Sequence, residues 1–199
     1  MADYDFAKIE KKLSKYLDED RFQHTMGVMY TSACLAMVHG YDIKDAQVAG
    51  LLHDCAKCIP NGKKLKLCEK YQIPVTEVEN RNPFLLHAKL GSFLASHEYD
   101  VQDEEILSAI LYHTTGKPDM SLLDKIVYIA DYIEPRRNKA PNLTEVRKLA
   151  FLDLDAALYK ILSDTLSYLD EGTGEVDEMT IKAYEYYKAH QNQADILPE

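Results

Sequence analysis

Residues 121–135 read Ser-Leu-Leu-Asp-Lys-Ile-Val-Tyr-Ile-Ala-Asp-Tyr-Ile-Glu-Pro, and this stretch has the signals of a buried helix. Ser121 with Asp124 three positions later is a helix-capping signature, and Pro135 stops the helix because proline has no backbone N–H. Asp131 lies among isoleucine, valine and alanine residues, so the pattern places its carboxylate in the protein interior. A buried carboxylate needs a strong partner, and a metal ion is one.

The same helical periodicity dominates the rest of the chain. Apolar residues recur three and four positions apart, and convincing strand alternation appears nowhere in the sequence. The pattern predicts an all-α fold. The predicted helices cover residues 6–17, 20–39, 42–54, 63–71, 84–97, 103–113, 121–133, 143–169 and 179–190, with an irregular connection over 74–83 and a polar loop over 136–142.

Charge is unevenly distributed along the 199 residues. The 23 Lys and Arg residues stand against 33 Asp and Glu, which gives a net charge of −10 and argues against nucleic-acid polymers as partners. Residues 153–199 alone carry −8, whereas residues 57–70 and residues 135–148 each carry +4. The overall charge therefore does not exclude a small anionic ligand held by these basic segments.

Residues 22–41 form the longest stretch without a charged side chain. Polar residues interrupt it and its apolar residues share one side, so a buried helix is predicted and no membrane span. The acidic N-terminus lacks the apolar core of a secretory signal, which predicts a cytoplasmic protein with Cys34, Cys55, Cys58 and Cys68 as reduced thiols. The Cys-x-x-Cys spacing leaves a redox switch or part of a zinc site open, although plain thiols are favoured.

Histidines and aspartates form a candidate metal site. His53 and Asp54 are adjacent, and this pair and His113 each fall at the C-terminal end of a predicted helix, where the helix dipole favours positive charge. Imidazole and carboxylate ligands together suit iron, manganese, cobalt, nickel or zinc. The candidate ligands are His24, His53, Asp54, His87, His113 and Asp131.

Five stretches of the sequence carry a family resemblance. They are Arg21-Phe-Gln-His24-Thr, Ala49-Gly-Leu-Leu-His53-Asp54-Cys-Ala-Lys57, Leu86-His87-Ala88, Ala109-Ile-Leu-Tyr-His113-Thr114-Thr-Gly116 and Ala130-Asp131-Tyr-Ile-Glu-Pro135-Arg. Their order resembles the HD-domain metal-dependent phosphohydrolases, and among these the bacterial YqeK family of symmetrical dinucleoside tetraphosphate hydrolases. The likeness runs over about residues 5–190, and its last two stretches are the most specific.

The resemblance implies a helical bundle that forms a single HD domain over residues 1–199. Its core covers about 18–135, helices over 143–190 complete the nucleotide site, and the segment after Gly172 closes over the nucleotide. Iron is implied at His24, His53, Asp54 and Asp131, and a second metal at His87 and His113 with Asp54 bridging stays open. The implied catalytic residues are His53, Asp54, His87 and His113. The implied substrate-binding residues are Arg21, His24, Lys57, His87, His113, Thr114, Asp131 and Arg137.

The implied reaction is the hydrolysis of diadenosine tetraphosphate to two ADP by metal-activated water. Alternatives are an HD-type nucleotidase or alarmone phosphohydrolase, a di-iron HD oxygenase, and a non-catalytic nucleotide-binding domain. The basic residues favour phosphate over a neutral substrate, and the intact ligand set argues against a non-catalytic domain. Neither a nucleic-acid polymer nor a membrane is expected as a partner. The oligomeric state is open, with a homodimer among the options.

Several residues fall outside these motifs. Glu185 stands where the family often has Asn, which leaves the contribution of the last helix open. His39 precedes Gly40 at a predicted helix end and is expected to cap that helix. His97 and His190 are expected to be exposed to solvent.

Overall fold

The computed structural model describes residues 4–170 and 175–194 of the chain. Within these ranges the secondary structure is helical, without strands, which confirms the all-α prediction. The described residues form eleven α-helices. They are α1 Phe6–Leu13, α2 Glu19–His39, α3 Ile43–Leu52, α4 Asn61–Lys70, α5 Glu77–Arg81, α6 Leu86–Tyr99, α7 Glu104–Tyr112, α8 Leu122–Ile133, α9 Leu143–Ala150, α10 Leu154–Asp170 and α11 Glu178–Ala194, with a 3-10 turn at Pro83–Leu85 before α6.

Helix α8 lies at the centre of the fold and confirms the helix predicted from its caps. The Ser121 side chain accepts from the Asp124 backbone N–H, and the Asp124 carboxylate accepts from the Ser121 N–H, so both ends of the predicted capping box are present. Ile126 and Ile129 are fully buried, and α8 packs against α2, α7 and α10. The side chain of Asp131 keeps about one fifth of its surface exposed, because it lies at the edge of a cavity.

Helices α2 and α3 approach each other very closely at Gly50. A Cβ atom at this position would lie 3.0 Å from the Cα atom of Met29 on α2, a distance that side chains do not tolerate without movement of the backbone. The close approach fixes the middle of α2 against the last turn of α3. His24 on α2 and the pair that follows α3, His53 and Asp54, thereby come together.

The prediction of one long helix over residues 143–169 is wrong. The chain forms α9 and α10 there, separated by a turn at residues 151–153. Asp153 makes this break, because its side chain accepts hydrogen bonds from the backbone N–H groups of Asp155 and Ala156 and so caps the start of α10. Apolar residues continue through the turn, and the helical pattern therefore hides it.

Two shorter elements also differ from the prediction. Helix α1 ends at Leu13, four residues before the predicted end. The connection over residues 74–83 contains α5, which begins with a capping box between Thr76 and Glu79. Five residues are too few to show helical periodicity, so only the cap marks this helix in the sequence.

The prediction that His39 caps its own helix is also wrong. Its Nε2 atom lies 2.8 Å from the carbonyl oxygen of Ala150, at the end of α9. Helix α2 ends instead at Gly40, whose φ of +75° is the left-handed conformation of a helix C-terminus. The predicted exposure of His97 and His190 is confirmed.

The C-terminal part of the chain packs beside the helices that carry the histidines. The predicted helix break and the start of the segment expected to close over the nucleotide fall at residues 171–174, outside the described residues. Just beyond them, the Glu175 carboxylate accepts two hydrogen bonds from the Arg81 Nε, at 2.9 and 3.0 Å, and one from Asn82. Tyr187 on α11 is buried, and its hydroxyl accepts from the Met120 N–H. None of the described helices is long and apolar enough to cross a membrane.

Candidate active site

His24, His53, Asp54 and Asp131 converge at one point although they come from three separate regions of the chain. The Nε2 atom of His24 lies 3.0 Å from Asp131 Oδ1 and 3.9 Å from Asp54 Oδ2. The Nε2 atom of His53 lies 3.5 Å from Asp54 Oδ2 and 3.9 Å from Asp131 Oδ1. Both histidines and Asp54 are buried.

Hydrogen bonds behind the two imidazole rings fix which nitrogen faces this point. The Nδ1 of His53 lies 2.6 Å from the Gly50 carbonyl oxygen, and the Nδ1 of His24 lies 3.0 Å from the Glu134 carboxylate. Both partners only accept hydrogen bonds, so each Nδ1 carries the proton and each Nε2 presents a lone pair. This is the form in which histidine binds a metal.

His87 and His113 form a second pair on the other side of Asp54. Their Nδ1 atoms donate to the carbonyl oxygens of Phe84 and Ile110, at 2.6 and 2.7 Å. Their Nε2 atoms, which again carry lone pairs, lie 3.1 Å apart. Asp54 Oδ1 lies 3.2 Å from the His87 Nε2 and 3.5 Å from the His113 Nε2.

The residues of this cluster fit a divalent metal. His24, His53 and Asp131 offer ligand atoms that all lie within 4.8 Å of one another, as do His53, Asp54 and His113. Three of these buried atoms make no hydrogen bond in the described structure: His24 Nε2, His53 Nε2 and Asp54 Oδ1. Lone pairs that face one another in a buried site repel unless a cation or a proton lies between them, so the donor set is that of a cation site.

The two aspartates keep their negative charge in this site. Burial alone would raise the pKa of Asp54, but positive charge placed between its carboxylate and the facing imidazoles, above all at His53, outweighs burial and holds the pKa well below its usual range. Burial is likewise outweighed at Asp131, where positive charge shared with His24 and His53 and the guanidinium of Arg137 lower the pKa. Ionised carboxylates are the form that metal binding requires.

The pKa of the His87 imidazole is shifted as well. Burial lowers the pKa of His87 to about 4, because it penalises the charged form of the ring. His87 is therefore neutral near pH 7, which agrees with its role as an acceptor at Nε2.

Two arginines face the carboxylates at the mouth of the site. Arg21 donates to Asp54 Oδ2 at 2.8 Å, and Arg137 donates to Asp131 Oδ1 at 2.5 Å and to the Asp131 carbonyl oxygen at 2.9 Å. Both side chains are partly exposed, so each guanidinium has donors left for a ligand in the cavity.

Lys57 and Thr114 supply further polar groups beside the second histidine pair. The Lys57 ammonium donates to the His87 Nε2 at 3.0 Å and lies 3.6 Å from Asp54 Oδ1. The Thr114 hydroxyl lies 3.2 Å from the Nε2 atoms of both His87 and His113. The structure therefore brings all ten residues singled out in the sequence into one neighbourhood.

A cavity of about 670 Å³ opens onto this neighbourhood. Arg21, Lys57 and Arg137 line it. So do His24, His113, Thr114 and Asp131. His53, Asp54 and His87 are almost fully buried next to these residues and do not line the cavity. A ligand in the cavity would therefore meet the basic side chains and the more exposed half of the cluster.

Glu134 and Gly27 are site residues that the sequence analysis missed. Glu134 is buried, accepts from His24 Nδ1, and receives the Arg136 backbone N–H at 2.7 Å. A Cβ atom at Gly27 would lie 2.6 Å from Glu134 Oε2, so only glycine leaves room for this carboxylate. Their spacing in the sequence could have revealed them. Glu134 follows Asp131 by three positions and Gly27 follows His24 by three, and a separation of three places two residues on the same face of a helix.

The four cysteines are unbonded thiols in the structure. Cys55 donates to the Gly91 carbonyl oxygen on α6 at 3.5 Å, whereas Cys58 donates to Asp18 Oδ2, just before α2, at 3.3 Å, so the two thiols have different partners. Within the described ranges, no candidate metal cluster includes a cysteine. These contacts favour plain thiols over a redox pair.

The fold and the buried cluster together define an HD-domain protein. The sequence model of this family, described as HD domain, matches residues 21–136. An HD domain implies a bound divalent metal, and the His–Asp cluster supplies its donors.

Relatives narrow the family further. The chain is 43% identical over 157 residues to the symmetrical bis(5'-nucleosyl)-tetraphosphatase of Bacillus subtilis (strain 168), a match covering 79% of this chain and 83% of the relative. It is 34% identical over 180 residues to the protein of the same name from Staphylococcus aureus (strain NCTC 8325 / PS 47), covering 89% and 92%. The chain belongs to the YqeK family of HD-domain proteins.

A solved structure supports the fold assignment. The crystal structure of a predicted HD superfamily hydrolase involved in NAD metabolism from Clostridium acetobutylicum superposes with a TM-score of 0.91 at 39% identity, covering 95% of this chain and 100% of that one. The predicted all-helical HD fold is thereby confirmed.

Proposed function

We propose that the chain is a metal-dependent hydrolase that cleaves symmetrical dinucleoside tetraphosphates, converting diadenosine tetraphosphate to two ADP. One observation carries the proposal: a buried set of imidazole lone pairs and ionised carboxylates lies directly beside Arg21 and Arg137 at a cavity. Cations at the cavity suit a polyphosphate, and the named relatives from Bacillus subtilis and Staphylococcus aureus are symmetrical tetraphosphatases.

The metal of the proposal is iron, held by His24, His53, Asp54 and Asp131. Mixed imidazole and carboxylate donors favour a borderline cation of this kind. A divalent metal, when bound there, lowers the pKa of water toward neutrality and withdraws charge from a phosphoryl oxygen. His87 and His113, with Asp54 Oδ1, are the donors proposed for a second ion.

The chain's own residues bind and orient the polyphosphate. Arg21 and Arg137 each present a planar guanidinium, which can hold phosphoryl oxygens with two parallel hydrogen bonds. Lys57 and Thr114 add donors on the side of Asp54 that faces His87 and His113. The arginines and Lys57 neutralise phosphate charge, and the hydrogen bonds that each Nδ1 donates keep the Nε2 lone pairs directed at the site.

The reaction needs only water as a second reactant. The water oxygen forms a bond to the second phosphorus of the tetraphosphate, and the bond from that phosphorus to the central bridging oxygen breaks. One ADP leaves on the bridging oxygen and the other keeps the new oxygen, while the proton of water passes to solvent. ADP is a good leaving group, so little general-acid help is required.

The test is to purify the protein, measure its bound metals and chromatograph the products formed from diadenosine tetraphosphate. Two ADP are expected, with iron as the main bound metal and activity that persists without oxygen. AMP and ATP in place of ADP would contradict symmetrical cleavage. Free phosphate from a nucleoside monophosphate would favour the nucleotidase alternative, and oxygen consumption would favour the oxygenase.

Variants connect this activity to the cluster. His53→Ala and Asp54→Ala are expected to lose bound metal and to lower turnover by at least about 1,000-fold. His97→Ala is the matched control, because His97 is an exposed histidine outside the cluster and should keep metal and turnover. Unchanged turnover in metal-loaded Asp54→Ala would refute the proposed site.

The remaining parts of the proposal concern the whole chain. The HD unit is proposed to form one domain over residues 1–199, with a core at about 18–135 and helices over 143–190 that complete the nucleotide site. Support comes from α10, because Ile161 and Thr165 line the cavity. A cytoplasmic location stays a prediction, and the oligomeric state stays open.

A further inference from the structure

We propose that the start of helix α4 is a phosphate-binding site, formed by the Lys64 ammonium and the backbone N–H groups of Asn61 and Gly62. These three residues do not line the cavity beside the His–Asp cluster, so the site is separate from the one described above. It goes beyond the proposed function, because it does not depend on which phosphate compound the chain hydrolyses.

Among the described residues, Lys64 is a buried cation without an anionic partner. It is 3% exposed, and no other lysine or arginine in the described ranges is buried. Its ammonium donates to Asn61 Oδ1 at 3.3 Å, which is longer than the roughly 2.7–2.9 Å of a charged donor on a carboxylate. The amide oxygen is neutral, so the charge of Lys64 stays uncompensated. A charge held away from water is costly unless an opposite charge pairs with it.

The surroundings of Lys64 add positive charge. Its ammonium lies beside Asn61, the first residue of α4, where the helix dipole is positive. Burial lowers the pKa of Lys64, the charge of Lys57 lowers it further, and Asp54 opposes this shift without reversing it. The whole segment over residues 57–70 carries +4. An anion is therefore the partner that this lysine lacks.

The first turn of α4 has open donors for such an anion. Pro60 is the N-cap residue and offers no side-chain hydrogen bond. The N–H groups of Lys63 and Lys64 donate to the Pro60 carbonyl oxygen, whereas those of Asn61 and Gly62 have no partner in the described part of the chain. Both residues are exposed, and a Cβ atom at Gly62 would meet nothing within 4 Å. Unbonded N–H groups at a helix N-terminus bind phosphate oxygens.

Helix α4 lies on the His87 side of the cluster. It packs against the 3-10 turn Pro83–Leu85 and against α6, which carries His87. The loop that follows Asp54 leads directly into α4, and Lys57 in this loop donates to the His87 Nε2. Two sources carry the chemistry that fits here: the outer phosphates of a polyphosphate whose middle lies at the cluster, and free inorganic phosphate.

Crystals soaked with orthotungstate, a tetrahedral oxyanion like phosphate, test the site through the anomalous scattering of tungsten. Wild type with its metal bound is expected to show a peak at the N–H groups of Asn61 and Gly62. Lys64→Met keeps the length of the side chain without its charge and should lose the peak. Lys66→Met, at an exposed lysine of the same helix, is the control and should keep it.

A second variant tests the site independently of the buried lysine. Asn61→Pro removes one N–H donor at the first residue of α4, where proline is well tolerated, so the protein should fold and bind less tungstate. An unchanged peak in this variant would exclude the backbone of the first turn as a ligand.

An analogue of diadenosine tetraphosphate, with a methylene group in place of the central bridging oxygen, separates the two sources. Continuous density from the cluster to α4 would identify the substrate, and Lys64→Met should then raise KM at least about tenfold with little change in kcat. A tungstate peak that the analogue does not reach would identify free phosphate, with KM changed by less than about twofold. No peak in wild type, or an equal peak in folded Lys64→Met, would overturn the site, whether or not the chain hydrolyses diadenosine tetraphosphate.

Discussion

At the scale of single residues, the site depends on groups that hold its candidate ligands in place. Glu134 fixes the His24 ring through Nδ1, and Gly27 leaves the space in which the Glu134 carboxylate lies. Carboxylate–histidine pairs of this kind orient the ring and raise the basicity of the nitrogen that faces a metal. The functional unit at this position therefore consists of an imidazole, its carboxylate and a glycine, contributed by two helices.

Glu134→Ala is expected to weaken binding of a divalent metal by about 10- to 100-fold, because the His24 ring loses its partner. Glu134→Gln should lose less, since an amide oxygen can still accept from Nδ1. The measurement is metal affinity by competition with a chelator, with exposed Glu145→Ala as the control. Wild-type affinity in folded Glu134→Ala would show that the contact does not position His24.

The cysteines give a second prediction at this scale. Burial raises the pKa of the Cys55 thiol to about 12, with a contribution from the charge of Asp54, so its thiolate is present at about one part in ten thousand at pH 8. Cys34 is exposed. Iodoacetamide at pH 8 should therefore modify Cys34 rapidly and leave Cys55 intact, as read by peptide mass spectrometry. Fast modification of Cys55 in folded protein would contradict its burial.

At the scale of helices, the contact between α2 and α3 decides where the ligands lie. Gly50 permits it, because any side chain there would press on the backbone of Met29 and on the Ser32 hydroxyl. His24 lies on α2, and the pair His53 and Asp54 follows α3. The distance between these two helices therefore sets the geometry of the cluster.

Gly50→Ala is expected to lower the free energy of unfolding by about 1–3 kcal/mol, because the added methyl group overpacks the contact. Metal affinity should fall with it. Gly62→Ala is the matched control, since a Cβ atom there meets nothing within 4 Å, and it should leave stability unchanged or slightly raised. Urea unfolding measures both, and equal stabilities for the two variants would contradict the close contact.

At the scale of the whole molecule, the fold brings parts of the two basic segments together at one cavity. The basic segments over residues 57–70 and 135–148 contribute Lys57, Arg137 and their neighbours to one cavity, while much of the negative charge belongs to residues 153–199. A chain with a net charge of −10 thus presents a cationic mouth above a site whose carboxylates require a cation.

Metal binding should consequently stabilise the folded chain, because the cluster exists only when its helices are packed. At a free metal concentration of about 100 times the dissociation constant, the gain is about 2.7 kcal/mol, or roughly 5–11 °C in Tm for a chain of this size. Treatment with a chelator should lower Tm by that amount and abolish hydrolysis. Asp54→Ala serves as the control and should show no chelator-dependent shift. A wild-type Tm that is indifferent to chelator would contradict a metal held by the native fold.

The sequence by itself determined the helical class, the caps of α8 and the identity of the candidate ligands, because these follow from local spacing and from residue chemistry. It did not reveal the turn between α9 and α10, where one capping aspartate outweighs continuous apolar periodicity. Only the tertiary structure decided that Glu134 supports His24 across 110 positions, that His87 lies behind the cavity wall, and that Ile161 and Thr165 of α10 line the cavity. The physical reason is that such contacts depend on how closely helices pack, and packing joins residues whose separation along the chain leaves no periodic trace.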